Sequence, residues 1–161
     1  MTREEMIEGH DNEHIFIGTL SALCNRLQAS GDSFYDEITF KQFFLLICLS
    51  LFREYPPTIN ELSDVMGSSH QNVKQIVIKL EKNGFLKTYV DPLDRRKIRI
   101  IQTEKIAELD GKYNAKEKEF FLNMFRDIQA DELEITLKTI TTIEYNLRNM
   151  KGDYNENHRS I

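Results

Sequence analysis

Apolar residues recur along most of this chain with the period of a helix and give way to strict alternation in one short stretch. Phe16, Leu20, Leu23, Cys24 and Leu27 mark a helical stripe from about Asn12 to Ser30, closed by Gly31-Asp32-Ser33. The next run, with Thr39 as its cap, places Phe43, Phe44, Leu45, Leu46, Ile47, Leu49, Leu51 and Phe52 on nearly every side, which predicts a central helix surrounded by others. Tyr55-Pro56-Pro57 stops it. Thr58 followed by Glu61 then has the spacing of a capping box, and Gly67 sits where the next helix end needs a left-handed residue. Ser69 can cap a second helix from about His70 to Asn83, so two short helices flank a glycine turn in the helix-turn-helix pattern.

That second helix has two unlike faces. Val73, Ile76, Val77 and Leu80 form one apolar stripe, while His70, Gln71, Lys74, Gln75 and Lys79 are left pointing outward with Asn72 at the margin. Gly84 ends it, with Leu80 and Phe85 placed for the contact that accompanies a Schellman cap. Phe85 to Val90 and Lys97 to Ile101 read as strands joined by the turn residues Asp91-Pro92-Leu93-Asp94. Arg95, Arg96 and Lys97 fall near the tip of this hairpin. Alternation predicts Ile98 and Ile100 against the helices, and Lys97 and Arg99 toward solvent or phosphate. Asp94, two residues before Arg96, can hold its guanidinium extended. Beyond the hairpin, Thr103 caps a helix to about Asp127, and Asp131 opens a last one to about Met150 with Leu133, Leu137, Ile140 and Leu147 at helical spacing. Residues 1–10 and 151–161 read as a frayed arm and a polar tail.

Composition changes this picture in one respect. The chain of 161 residues carries a net charge of −5, which argues against a polyanionic partner until its distribution is examined. Between residues 68 and 99, Lys74, Lys79, Lys82, Lys87, Arg95, Arg96, Lys97 and Arg99 face only Glu81, Asp91 and Asp94, so a basic module sits within an acidic chain. No apolar run has membrane-spanning length, and Met-Thr-Arg-Glu-Glu lacks the hydrophobic region of a signal peptide, which predicts a cytoplasmic protein. Cys24 and Cys48, both within apolar helical patterns, do not suggest a disulfide framework.

The run Glu61-Leu62, Gly67, Ser69, Val73, Leu80-Glu81-Lys82-Asn83-Gly84-Phe85-Leu86, then Asp91-Pro92-Leu93-Asp94-Arg95-Arg96-Lys97 and Gln102-Thr103-Glu104 resembles the winged helix-turn-helix of the MarR (multiple antibiotic resistance regulator) family. It departs at Ser68, where an apolar residue is usual, and at Ile106, where a glycine often stands. The expected fold is mainly α with a small β wing. Residues 1–38 form an N-terminal arm and first dimerisation helix, 39–103 the DNA-binding domain, and 104–161 the C-terminal dimerisation helices and tail. Because the terminal helices have wide apolar faces at opposite ends of the chain, we expect them to intertwine with a second copy rather than close on one core.

The expected DNA contacts are Thr58, Ser69, His70, Gln71, Asn72, Lys74, Gln75, Lys79, Arg95, Arg96 and Lys97. Gln71 and Asn72 suit base edges, Arg96 suits a narrow minor groove, and Thr58, Lys74, Lys79, Arg95 and Lys97 suit phosphates. The plain alternative for the helix is an ordinary solvated face. A dimer presenting two such helices reads a pseudo-palindrome with half-sites about one turn, roughly 10 base pairs, apart.

For the signal that releases such a regulator, three candidates stand beside plainer readings. Cys24 is a candidate redox thiol, but its apolar spacing favours a packed core thiol. His10 and His14, near Glu8, Asp11 and Glu13, are too few for zinc and read as a solvated segment. The resemblance implies a small aromatic ligand in a crevice between the first two helices and the DNA-binding lobe. Phe34, Tyr35, Phe40, Phe43, Phe44 and Tyr113 can line it, although simple core packing is the stronger reading for each. No phosphate-cradling loop, nucleophile elbow or paired metal motif supports an enzyme, and no cofactor is expected. The expected function is therefore a homodimeric, sequence-specific DNA-binding regulator, a repressor released by a small molecule or an oxidant. A protein-docking winged helix and a sequence-independent DNA-packaging protein are the alternatives.

Overall fold

The computed structural model describes residues 9–157, with side chains to residue 150. The described residues form α1 (Asn12–Asp32), α2 (Phe40–Ser50), α3 (Ile59–Val65), α4 (His70–Lys82), β1 (Leu86–Val90), β2 (Ile98–Gln102), α5 (Lys105–Met124) and α6 (Ala130–Asn157). This is the expected mainly helical fold with a two-stranded wing. The chain divides within α5 into two compact units, Met1–Tyr113 and Asn114–Ile161.

In the first unit, local chemistry sets nearly every helix boundary. Thr39 and Thr58 both make full capping boxes: each hydroxyl accepts from the backbone N–H three residues on, and Gln42 or Glu61 reaches back to the cap's own N–H. Ser69 caps α4 by accepting from the N–H of Asn72 at 3.3 Å. Helices α3 and α4 end in the same way. Gly67 (φ 60°) and Gly84 (φ 79°) take the left-handed conformation that a side chain resists. Their N–H groups bond to Asp64 and Glu81, while Ser68 and Phe85 reach back to the carbonyls of Ser63 and Leu80. These are Schellman caps, which satisfy carbonyls that a helix end otherwise leaves orphaned.

The core lies where α2, α3, α4 and the wing meet. Leu45, Leu62, Val73, Leu80, Phe85, Leu86 and Ile100 are buried there, joined by Tyr35, Ile38, Cys48, Leu49 and Tyr113. The wing is antiparallel, with Leu86 opposite Gln102, Thr88 opposite Ile100 and Val90 opposite Ile98. It is fastened at its base: Glu81 on α4 accepts from the N–H and hydroxyl of Thr88, and the Ile100 N–H donates to Pro57.

Two expectations for the early helices are corrected. Helix α2 is not surrounded: Leu45, Leu46 and Leu49 are buried, but Phe44 and Ile47 are exposed, as is Leu51 just past its end. In α1 only Gly31 is buried, and of the predicted stripe Leu23 and Cys24 are exposed while Phe16, Leu20 and Leu27 are half-buried. The core thiol is Cys48, not Cys24. The periodicity is helical, but the face it marks is only partly covered within the described chain. Gly31 is buried because α1 meets the start of α2 there, where a Cβ would stand 2.2 Å from the Phe40 ring.

In the second unit, α5 ends at Met124 rather than near Asp127, which adopts a left-handed conformation (φ 63°) in the bend. Helix α6 continues past Met150 and through Gly152 to Asn157, so part of the predicted tail is helix. A glycine inside a helix costs only about 1 kcal/mol, too little to end one by itself. No side chain of α6 is buried through residue 150, and Ile135, Leu137, Leu147 and Met150 are exposed. Among the described residues no helix is long and apolar enough to cross a membrane.

Candidate nucleic-acid interface

Helix α4 divides as its sequence predicts. Val73, Ile76, Val77 and Leu80 face the core, and Ser69, His70, Gln71, Asn72, Lys74, Gln75 and Lys79 are all exposed. Caps at both ends hold that row in a fixed register, so its amides and ammonium groups project from a rigid rod. One detail was not foreseen. The Asn72 side-chain amide donates to the Ser68 hydroxyl at 2.8 Å, which orients Asn72 at the first turn of α4. The departure at Ser68 thus has a local use, and Asn72 keeps its side-chain oxygen for another donor.

At the wing tip Arg95, Arg96 and Lys97 are exposed. Asp94 accepts from Arg96 three times: from the backbone N–H at 3.2 Å, from Nε at 3.0 Å and from Nη2 at 3.3 Å. The Arg96 side chain is nevertheless 91% exposed, so the carboxylate steadies the guanidinium without covering it. Arg96 in turn holds the Asp94 carboxyl below its ordinary range.

The base of the wing corrects the sequence reading. Ile100 is buried as expected, but Ile98 is exposed and Arg99, expected at solvent or phosphate, is buried. Ile98 does share the face of Ile100; it lies two residue pairs further out, opposite Val90, beyond the reach of the core. Arg99, on the other face, donates through Nε to Asp91 at 2.8 Å, and through Nη1 to Glu61 and to the Pro56 carbonyl, both at 3.0 Å. Its guanidinium lies 4.3 Å from the centre of the Tyr55 ring, whose hydroxyl also donates to Asp91. Asp91, itself buried, further accepts from the N–H groups of Leu93 and Asp94. Arg99 first, and the Leu93 N–H after it, bring the Asp91 carboxyl down to about 2.

Thr58 differs from the other expected contacts. Its N–H and hydroxyl both donate to one oxygen of Glu61, the oxygen that also accepts from Arg99. A phosphate arriving there meets a carboxylate already in place.

The other candidate sites resolve unevenly. Phe34, Tyr35, Phe43 and Tyr113 pack on one another, with Tyr35 4.9 Å from both Phe43 and Tyr113 between ring centres, and the Tyr113 hydroxyl donates to Asp36. Phe40 sits on Gly31, and Phe44 is exposed. An open groove of 560 Å³ runs along α1 past His10, His14, Gly18 and Arg26, and none of those aromatics lines it. The His14 ring is bonded to Asp11, the cap of α1.

Similarity to known proteins agrees with this geometry. Residues 38–98 match the MarR family. A solved MarR protein from Peptoclostridium difficile is 21% identical, covers 89% of this chain and 92% of its own, and superposes with a TM-score of 0.69. MepR of S. aureus, solved as a DNA complex, is 18% identical over 85% of this chain and 99% of its own, with a TM-score of 0.71. PcaV of Streptomyces coelicolor, solved with its natural ligand, is 17% identical over 86% of this chain and 94% of its own, with a TM-score of 0.66. No curated protein matches at the sequence level. The segment from 38 to 98 is a MarR-family winged helix-turn-helix domain, and the chain that carries it has the fold of the MarR-family transcriptional regulators.

Proposed function

We propose that this protein is a homodimeric, sequence-specific DNA-binding repressor that occupies a pseudo-palindromic operator and is released by a small molecule or an oxidant. The observation that carries the reading is the joint exposure, on one lobe, of the polar face of α4 and the Arg95-Arg96-Lys97 tip. On this reading Gln71 and Asn72 read base edges, with His70 and Gln75 beside them, and Arg96 enters the minor groove. Ser69, Lys74, Lys79, Arg95 and Lys97 bind phosphates. Thr58 joins them only at the expense of its bonds to Glu61.

The dimer rests on the apolar side chains that α1 and α6 leave exposed, Ile17 and Leu23 on one and Ile135, Leu137 and Leu147 on the other. That MepR was solved with DNA and PcaV with a ligand supports a regulator that answers to an effector. The exposed Cys24 keeps an oxidant in play. A repressor follows most simply, because a dimer on a promoter obstructs it.

The test is selection of duplexes from random sequence, followed by titration of the winner in rising salt with and without competitor DNA. A steep salt slope that Lys74→Ala lowers by about one, and a sequence preference that Gln71→Ala relaxes by ~1–3 kcal/mol at one position, are expected. Binding that ignores salt and competitor would transfer the lobe to protein docking, and a steep slope without preference to packaging.

A further inference from the structure

Apolar packing holds only the lower half of the wing. Leu86 and Ile100 are buried at its base, whereas Val90, Leu93 and Ile98 toward the tip are exposed. A two-stranded ribbon is marginal by itself, so something else must aim the tip. The polar junction around Arg99 is placed to do so. Glu61 at the start of α3 accepts from Arg99 on β2; Arg99 bonds to Asp91 where the tip begins; Asp91 accepts from the N–H groups of Leu93 and Asp94; and Asp94 holds Arg96. An unbroken series of hydrogen bonds therefore runs from the helix-turn-helix to the guanidinium at the tip. Arg99 supplies the branch point because its fork addresses two carboxylates and the Pro56 carbonyl at once, which a lysine ammonium cannot do in fixed directions. Buried against two carboxylates, Arg99 is not presented to a phosphate.

We propose that Arg99 is a positioning residue for DNA recognition: by joining Asp91 to Glu61 it fixes the wing against α3, and Arg96 reaches the minor groove only while this junction is closed. The proposal rests on the DNA-binding reading above and assigns Arg99, Asp91, Glu61 and Tyr55 a role in aiming rather than in contact.

The experiment uses the full chain and the duplex selected by the native protein, comparing native, Arg99→Lys, Arg96→Ala and the double variant. Hydroxyl-radical footprinting reports the minor-groove edge, and methylation protection at guanine N7 reports the major groove. Arg99→Lys should weaken binding roughly tenfold or more and abolish the wing's minor-groove protection while N7 protection persists, and adding Arg96→Ala should cost almost nothing further. Tyr55→Phe keeps the ring beneath Arg99 and removes one bond to Asp91. It should give the same signature in weaker form, and it carries the test if Arg99→Lys does not fold. An unchanged minor-groove footprint, or a full additive loss from Arg96→Ala, would overturn the role of Arg99. If the native protein protects neither groove of any selected duplex, the DNA-binding reading falls first and the role of Arg99 with it.

Discussion

The lobe from Thr39 to Thr103 and the last helix contain the same kinds of residue put to opposite use. Leu62 and Leu80 in the lobe are fully buried, whereas Leu137 and Leu147 on α6 are more than half exposed. The lobe completes its own interior: its helices are capped at both ends, its glycines stand where left-handed turns are needed, and its buried arginine meets two carboxylates. Helix α6 has a regular apolar repeat and, among its described side chains to residue 150, none that is buried. The contrast teaches that helical periodicity reports that a face wants covering and not which chain covers it.

The same truncation made in both regions tests this most sharply. Leu80→Ala should cost about 2–5 kcal/mol in urea unfolding whatever the protein concentration, because it empties a closed core. Leu137→Ala should instead lower stability in proportion to how far a second copy covers it, so its cost should fade as the protein is diluted below its dimer dissociation constant. A Leu137→Ala cost independent of concentration would count against the dimer. Next in size, Gly84→Ala forces a methyl group into a left-handed turn and should cost about 1–2 kcal/mol in the same assay.

Acid separates the regions further. Asp91 titrates at about 2 in the folded lobe against 3.8 ordinarily, so in falling pH the unfolded chain takes up its proton first. The stability it contributes is complete above about pH 4 and is lost as pH falls toward 2. Glu61 and Asp94, also lowered, slope the same way. Asp91→Asn should therefore flatten the melting temperature across that window relative to the native protein. An equal slope in both would remove Asp91 from the account. The smallest effect is a matter of rate. A maleimide should label Cys24 in dilute protein, and Cys48, buried with its thiol pushed up by that burial, only on unfolding. Protection of Cys24 that appears with concentration would place α1 within the dimer contact.

What the sequence made legible was local. Thr58 and Glu61, Gly67 and Gly84, and Asp94 with Arg96 each act over a few residues, and each is found as read. The base of the wing was misread because alternation assigns faces without saying what covers them. The chain around Tyr55-Pro56, far from Arg99 in sequence, covers the face that looked open, while Ile98 lies past the edge of the one that looked closed. Cys24 differs from its reading for the same reason: its stripe is only partly covered, and Cys24 itself is exposed. The exposed α4 row and wing tip were legible because nothing distant intervenes there.

The contact between Gly31 and Phe40 sets the direction in which α1 leaves the lobe by the absence of a single atom. Helix α1 is 21 residues long. A helix of that length extends ~30 Å, so a tilt of ~10° at the Gly31 end would swing the far end by ~5 Å. A methyl group at this corner would thus act at the short arm of a lever, and its cost would be felt most at the distant tip.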